Sequence, residues 1–194
     1  MRLFIFFLLS LLGHLSVLSQ TKIIKGIKEI SKTEYESCVN NEIIIHKLKI
    51  SKKDHKLIIP IVDKKAKVFS DDSSDENFCE FEYIGEVLET QLSLIKKMTY
   101  NDEEFYFIDR RLGSIDTLIG SPLFYWNRSD FVCINNPGTD EKQRIQICTI
   151  KNGVVTQRGI YEFDGLLKEV SCIEHALIYV KDNHDKYWKL TLRI

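Results

Sequence analysis

Charged and aromatic side chains crowd one stretch of this sequence, Glu104 to Arg111 (EFYFIDRR), and a tryptophan and another arginine follow at Trp126 and Arg128. Arginine and tryptophan combine several donors or a broad flat surface with a small ordering cost, which suits them to recognition. Glu104, Asp109, Arg111, Trp126 and Arg128 are therefore the candidate binding surface, set against the alternative of ordinary salt-bridged strand ends. Covalent or acid–base chemistry asks for more. Neighbours on a strand point to opposite faces, so Glu103 and Glu104 do not flank one glycosidic bond. Ser121, Ser129 or Cys172 as a nucleophile needs a base within hydrogen-bond reach, and no local signature places one. The sequence has no G-x-S-x-G turn, HExxH pair, P-loop or Rossmann glycine pattern. No catalytic residue is assigned.

Metal and thiol chemistry give two further candidates. Asp71, Asp72, Asp75 and Glu76 (DDSSDEN) offer the oxygen ligands a calcium ion takes. The mid-loop glycine and late glutamate of an EF-hand are missing, so a solvated acidic turn competes with that reading and no metal is assigned. The five cysteines are Cys38, Cys79, Cys133, Cys148 and Cys172. The number is odd, which leaves at least one free or intermolecular, and none has zinc spacing. Cys133 and Cys148 sit on adjacent strand-like runs. A hairpin centred between Asp140 and Glu141 puts them opposite each other, close enough for a disulfide; the alternative is two small buried side chains. No cofactor is implied.

These residues sit on short apolar runs separated by turn chemistry. SLIKKMTY, EFYFIDRR, DFVCIN, RIQICTI and VVTQRGIYEF alternate with YNDE, RRLG, WNRSD, NNPGTD and KNG. Strand-like runs at regular spacing, closed by Gly, Asn, Asp or Pro, predict an all-β fold, an antiparallel meander stacked like propeller blades or like a sandwich. Asn152-Gly153 is the strongest turn, because both positions tolerate positive φ. Three blade-like units follow over 83–194: Tyr83–Gly120, Ser121–Gly165 and Leu166–Ile194. Three are too few to close a propeller. Upstream, 20–42 is a lead-in in which Ser31-Lys32-Thr33-Glu34 matches a capping box, predicting a short helix or an irregular stretch. Over 43–82, Ile43–Ile50 and Lys56–Val62 are predicted to pair as a hairpin, with Pro60 marking an edge or a bulge, before the acidic turn. Lys47, Lys49, Lys96 and Lys97 are candidate guards of exposed edges.

The chain of 194 residues is long enough for one domain with a core of its own. A formal net charge of −1 cannot neutralise a phosphate backbone, which argues against nucleic acid as partner. Residues 1–19 read as a secretory signal peptide: Arg2, an apolar run from Leu3 to Leu12, then Val17 and Ser19 at a small-residue cleavage site. A span of about 20 apolar residues is not reached. The expectation is a single domain over 20–194, secreted or periplasmic, with no membrane span after cleavage.

The stretch EEFYFIDRRLGSIDTLIGSPLFYWNRSDFVCI resembles uncharacterised secreted β-meander proteins of Bacteroidetes-type bacteria, and single propeller blades of Tol-associated periplasmic proteins. The upstream IIIHKLKI and KLIIPIVDKKAKVFSDDSSDENFCEFEYIGEV, with the Tyr83-Ile84-Gly85 entry, resembles the same group. The pattern breaks at Tyr125–Ser129, where the repeat has Ser-Pro-Asp-Gly. The resemblance implies secretion and β structure and supplies no reaction. The functional expectation is a non-enzymatic exported β-domain that binds an unknown partner protein or glycan. The alternatives are a hydrolase with an active site assembled from distant residues, and an envelope accessory protein docking by strand addition.

Overall fold

The computed structural model describes residues 24–38, 45–125, 129–135, 142–163, 165–174 and 176–192. The expected signal peptide lies outside these residues. The described chain opens with β1 (Ile24–Ile30) and a five-residue helix, α1 (Lys32–Glu36). One half of the capping box forms: Ser31 Oγ accepts the Glu34 N–H at 3.1 Å, while the Glu34 carboxylate accepts from Lys189. After β2 (Ile45–His46), β3 (Lys52–Lys53), β4 (Lys56–Ile59) and β5 (Lys67–Ser70) make a small antiparallel sheet. Then β6 (Cys79–Val87), β7 (Leu92–Thr99), β8 (Glu103–Asp109) and β9 (Ile115–Leu118) form a meander, with β2 paired along β6. A second meander runs through β10 (Pro122–Phe124), β11 (Asp130–Ile134), β12 (Gln143–Lys151) and β13 (Val154–Phe163). The last sheet is β14 (Leu167–Glu174), β15 (Leu177–Asp182) and β16 (Tyr187–Leu192), completed by β1 along β16. The protein is all-β and antiparallel, as the turn spacing predicts, and no sheet closes into a barrel.

The sheets stack face to face, because strand alternation sends neighbouring residues to different cores. Leu57, Ile59 and Ile61 of the small sheet meet Tyr83, Ile95 and Ile108 of the five-stranded sheet. The other face of that sheet carries Leu94, Phe105 and Phe107 against Phe131, Cys133 and Cys148 of the β10–β13 sheet. Val132, Ile145 and Ile147 on the far side of that sheet meet Ile178, Val180 and Leu190 of the last one. The outer face of the last sheet is covered by α1, with Tyr35 against Cys172 and Tyr179. Each fully buried side chain here, such as Phe107, Phe131 or Ile145, contributes about 1.5–3 kcal/mol relative to exposure. No helix among the described residues is long and apolar enough to cross a membrane.

Four expectations need correction. The lead-in is not irregular throughout, since β1 pairs residue by residue with β16, Ile30 opposite Tyr187 and Ile24 opposite Leu192. The predicted upstream hairpin does not form. Ile45 and His46 pair with Val87 and Glu86, and β4 pairs with β3 and β5 instead; the strand stops at Ile59, just before Pro60 would remove a ladder donor. Lys96 and Lys97 guard no edge, because β7 is an inner strand and their ammonium groups meet Glu103 and Glu104. Finally, Cys133 and Cys148 are both free. Cys133 pairs with Gln146 and Cys148 with Phe131, so the hairpin centre lies one residue earlier than expected and the cysteines sit diagonally. Diagonal neighbours are about 7–8 Å apart, too far to bridge. Either register puts Phe131, Cys133, Cys148 and Ile150 on one face and in one core, because a shift of two residues keeps every side chain on its side of the sheet. The disulfide joins Cys38 to Cys172 across 134 positions of sequence.

The link from β9 to β10 brings two backbones together at Gly120, where an added Cβ would overlap the Ile134 carbonyl. Gly120→Ala is expected to lower stability by about 2 kcal/mol or more, since backbone cannot yield as a side chain does. A urea midpoint matching that of the wild type would contradict this close approach.

Candidate functional site

The structure separates the residues of the sequence-predicted surface. Asp109 ends β8 and is 2% exposed. Its Oδ1 accepts the Arg111 backbone N–H at 2.8 Å and the Leu112 N–H at 3.3 Å. The Arg111 guanidinium grips both oxygens, Nε to Oδ1 at 3.1 Å and Nη2 to Oδ2 at 2.8 Å. Nη1 of Arg111 then donates to the Asn152 carbonyl at 2.9 Å, in the turn between β12 and β13. That turn has positive φ at Asn152 (53°) and Gly153 (72°), and the guanidinium occupies the space a Cβ at Gly153 would need. Arg111 is thus a clasp between two sheets. Arg110 is another: Nη1 meets Glu86 Oε2 at 2.5 Å and Nε donates to the Pro60 carbonyl at 3.1 Å. Asp182 organises the β15–β16 turn in a similar way, accepting the N–H groups of His184 and Lys186 and the Trp188 Nε1–H, each at 2.9 Å.

Glu104 belongs elsewhere. It starts the same strand, five positions from Asp109, hence about 17 Å away at 3.3 Å per residue, and it accepts from Tyr106 and, at 3.5 Å, from Lys97. Trp126 and Arg128 lie outside the described residues. Ser129, which follows them, shares with Arg111, Ile150 and the Leu88–Gln91 turn a polar cleft of about 710 Å³. The structure therefore gathers Asp109 and Arg111 and leaves Glu104 apart.

The acidic turn commits two of its carboxylates to partners within the chain. Asp71 is taken by Lys52 Nζ at 2.8 Å and the Phe81 N–H at 2.9 Å, and Asp72 caps the Ser74 N–H at 2.8 Å. No group of three or more His, Cys, Asp or Glu residues among those described converges as a metal site. Instead the turn walls a second cleft, of about 720 Å³, between β5 and the β7–β8 turn. Its floor is aromatic. Phe69 and Phe81 have ring centroids 5.3 Å apart, and Phe78 and Tyr100 are 4.7 Å apart. Tyr100 is 61% exposed. Carboxylates of Asp72 and Glu76 and the amides of Asn77 and Asn101 rim it. Backbone and side-chain hydrogen bonds from Ser74 hold the Asp72 carboxyl below its usual range. Lys97 also lines the cleft, with Glu104 beside it. A floor of ring faces under an acidic rim can hold apolar and cationic groups together.

Sequence reading missed this cleft. Phe69, Phe78 and Tyr100 lie on three elements that only strand pairing and sheet stacking bring together. The one local signal was Tyr100, a large ring next to the turn residues Asn101-Asp102. Comparisons with protein-family models, with curated proteins and with solved structures find no match. The resemblance drawn from turn residues therefore carries no functional residue into either cleft.

The carboxylates give the fold a defined pH response. Hydrogen bonds from Arg111 hold Asp109 below its usual range against the effect of burial. Burial alone would raise Asp71 and Asp182, but Lys52 in one case and Trp188 in the other bring both down. Their stabilisation is present above the unfolded carboxylate value of about 3.9 and is lost as pH falls through the lower folded values. Asp116 on β9 runs the other way, pushed up by burial and then by the Asp109 charge. Its folded form holds the proton longer, so its ionisation costs stability at neutral pH. Asp116→Asn is expected to raise the urea midpoint at pH 7, because it removes the cost of that ionisation. The gain should close as pH falls below 4, while both proteins weaken. A gain that grows toward low pH would contradict the assignment.

Proposed function

We propose that this chain is an exported, non-enzymatic β-domain that binds a partner protein in the cleft between the small sheet and the five-stranded sheet. The observation that carries this reading is the aromatic floor, with Tyr100 held open to solvent above Phe78 while the neighbouring core is closed. Aromatic anchors dominate the energetics of protein contacts. The acidic rim of Asp72 and Glu76 favours a partner segment in which a lysine or arginine flanks an apolar side chain. Nothing needs to move for such a segment to enter, because the walls are a β-strand edge and two turns anchored by hydrogen bonds within the chain.

A second reading is favoured by β13. It is a ten-residue strand at the edge of its sheet, with Val154 and Ile160 exposed. An open edge of that length can accept an added strand. A bulge between Ile147 and Cys148 in the register with β12 interrupts it near its centre, a feature that blunts such pairing.

Binding to an array of extended synthetic peptides, beside a glycan array, tests the first reading. Peptides that join a basic residue to an aromatic or aliphatic one should bind. Tyr100→Ala should weaken them about tenfold, the loss of ~1.4 kcal/mol at an aromatic anchor, with the melting temperature unchanged because the ring is exposed. Binding that Tyr100→Ala leaves intact would reject the cleft. Slowed amide exchange along β13 rather than β5 would move the contact to the open edge.

A further inference from the structure

The N-terminal segment is a strap across the outer face of the last sheet. It leaves the β16 edge as β1, crosses as α1 and is fastened at the opposite edge strand, β14, by Cys38–Cys172. Beneath it lies a third cleft, of about 410 Å³, at the far end of the stack from the aromatic one. Tyr35 reaches into it from α1. The residue is 6% exposed, and its ring lies 4.9 Å from that of Tyr187. Its hydroxyl is buried and finds no hydrogen-bond partner among the described residues. Ser171 is close enough to offset slightly the upward push of burial and of Glu169 on the phenol, while its own hydroxyl donates to the Cys38 carbonyl at 2.9 Å. A buried hydroxyl left unpaired costs about 1–3 kcal/mol, and native structures seldom leave one so without a reason.

The charges around that hydroxyl identify what would answer it. Lys32 pairs with Glu36 at 3.4 Å, and Lys181 pairs with Asp185 at 2.8 Å. Glu169 lies opposite Lys181 in the β14–β15 register. The lining is therefore charge-balanced and calls for no net charge in a ligand. Each ammonium nevertheless keeps unused N–H donors, and each carboxylate keeps unused lone pairs. Donors and acceptors both line the cleft around one buried hydroxyl. A ligand hydroxyl can serve both kinds of partner.

We propose that this strap cleft binds a neutral saccharide, with Tyr35 hydrogen-bonded to a sugar hydroxyl and the side chains of Lys181 and Glu169 holding its neighbours. The site is independent of the aromatic cleft, so either proposal can fail alone.

The test is a nuclear magnetic resonance titration of the oxidised protein with methyl glycosides of glucose, galactose, mannose and N-acetylglucosamine, with glycine as a zwitterionic control. One or more glycosides should shift amides within residues 31–38, 167–174 and 177–187 saturably. Tyr35→Phe should weaken binding at least tenfold while the free protein melts no lower, since the substitution removes an unpaired group. Glu169→Gln, at an exposed position that should not disturb folding, should weaken it several-fold. No glycoside-induced shift at about 50 mM, well above any millimolar dissociation constant, would overturn the proposal. So would equal affinity in Tyr35→Phe, or shifts produced by glycine alone; in those cases the hydroxyl is served by water or by a charged ligand.

Discussion

A pleated sheet with apolar residues on both faces must be covered on both sides, and this requirement governs the molecule. On β11, Phe131 and Cys133 enter one core while Val132 between them enters another. Neither the five-stranded sheet nor the β10–β13 sheet can therefore be terminal. The stack ends only where one face can be covered by something other than another large sheet: three short strands at one end, a five-residue helix and its strap at the other. The architecture behaves like a capped repeat array, in which inner units share neighbours and end units carry a different surface.

Polar clasps set how the sheets sit. Arg110 ties the five-stranded sheet to the segment after β4, and Arg111 ties it to the Asn152-Gly153 turn. Both arginines also neutralise a buried carboxylate, Glu86 or Asp109. Breaking such a pair leaves a charge with no water to solvate it, which costs far more than a surface ion pair contributes. What looks like a recognition motif in the sequence is therefore largely internal scaffolding. Arg111 also lines the polar cleft beside Ser129.

The parts of the fold legible in the sequence are those that local backbone chemistry dictates. Asn152-Gly153 was readable because few residues accept positive φ twice in succession, and Ser31 because an N-cap needs a side-chain acceptor beside Glu34. The alternation of β6, with Phe81 and Tyr83 inward, is what a side-chain period of two dictates. Long-range choices were not legible. KGIKEI gives no sign that its partner lies at Tyr187–Leu192, and nothing near Cys38 points to Cys172. The aromatic cleft was hidden for the same reason, since Phe69, Phe78 and Tyr100 belong to separate elements. Asp109 and Arg111 were found as a pair because they are two positions apart; their role was not, because it depends on a turn some forty residues further on.

The pairing of β1 with β16 bears on how the protein comes off the ribosome. Among the described strands β1 is made before the others and has no neighbour until β16 appears, so the middle sheets can settle while the last sheet is still incomplete. Such distant partners make for slow closure, and during that interval an unsatisfied strand edge travels with the nascent chain. A shortened product lacking its final twenty residues would keep that edge permanently open and invite association between molecules. Pairing of β1 with β16 conceals that edge.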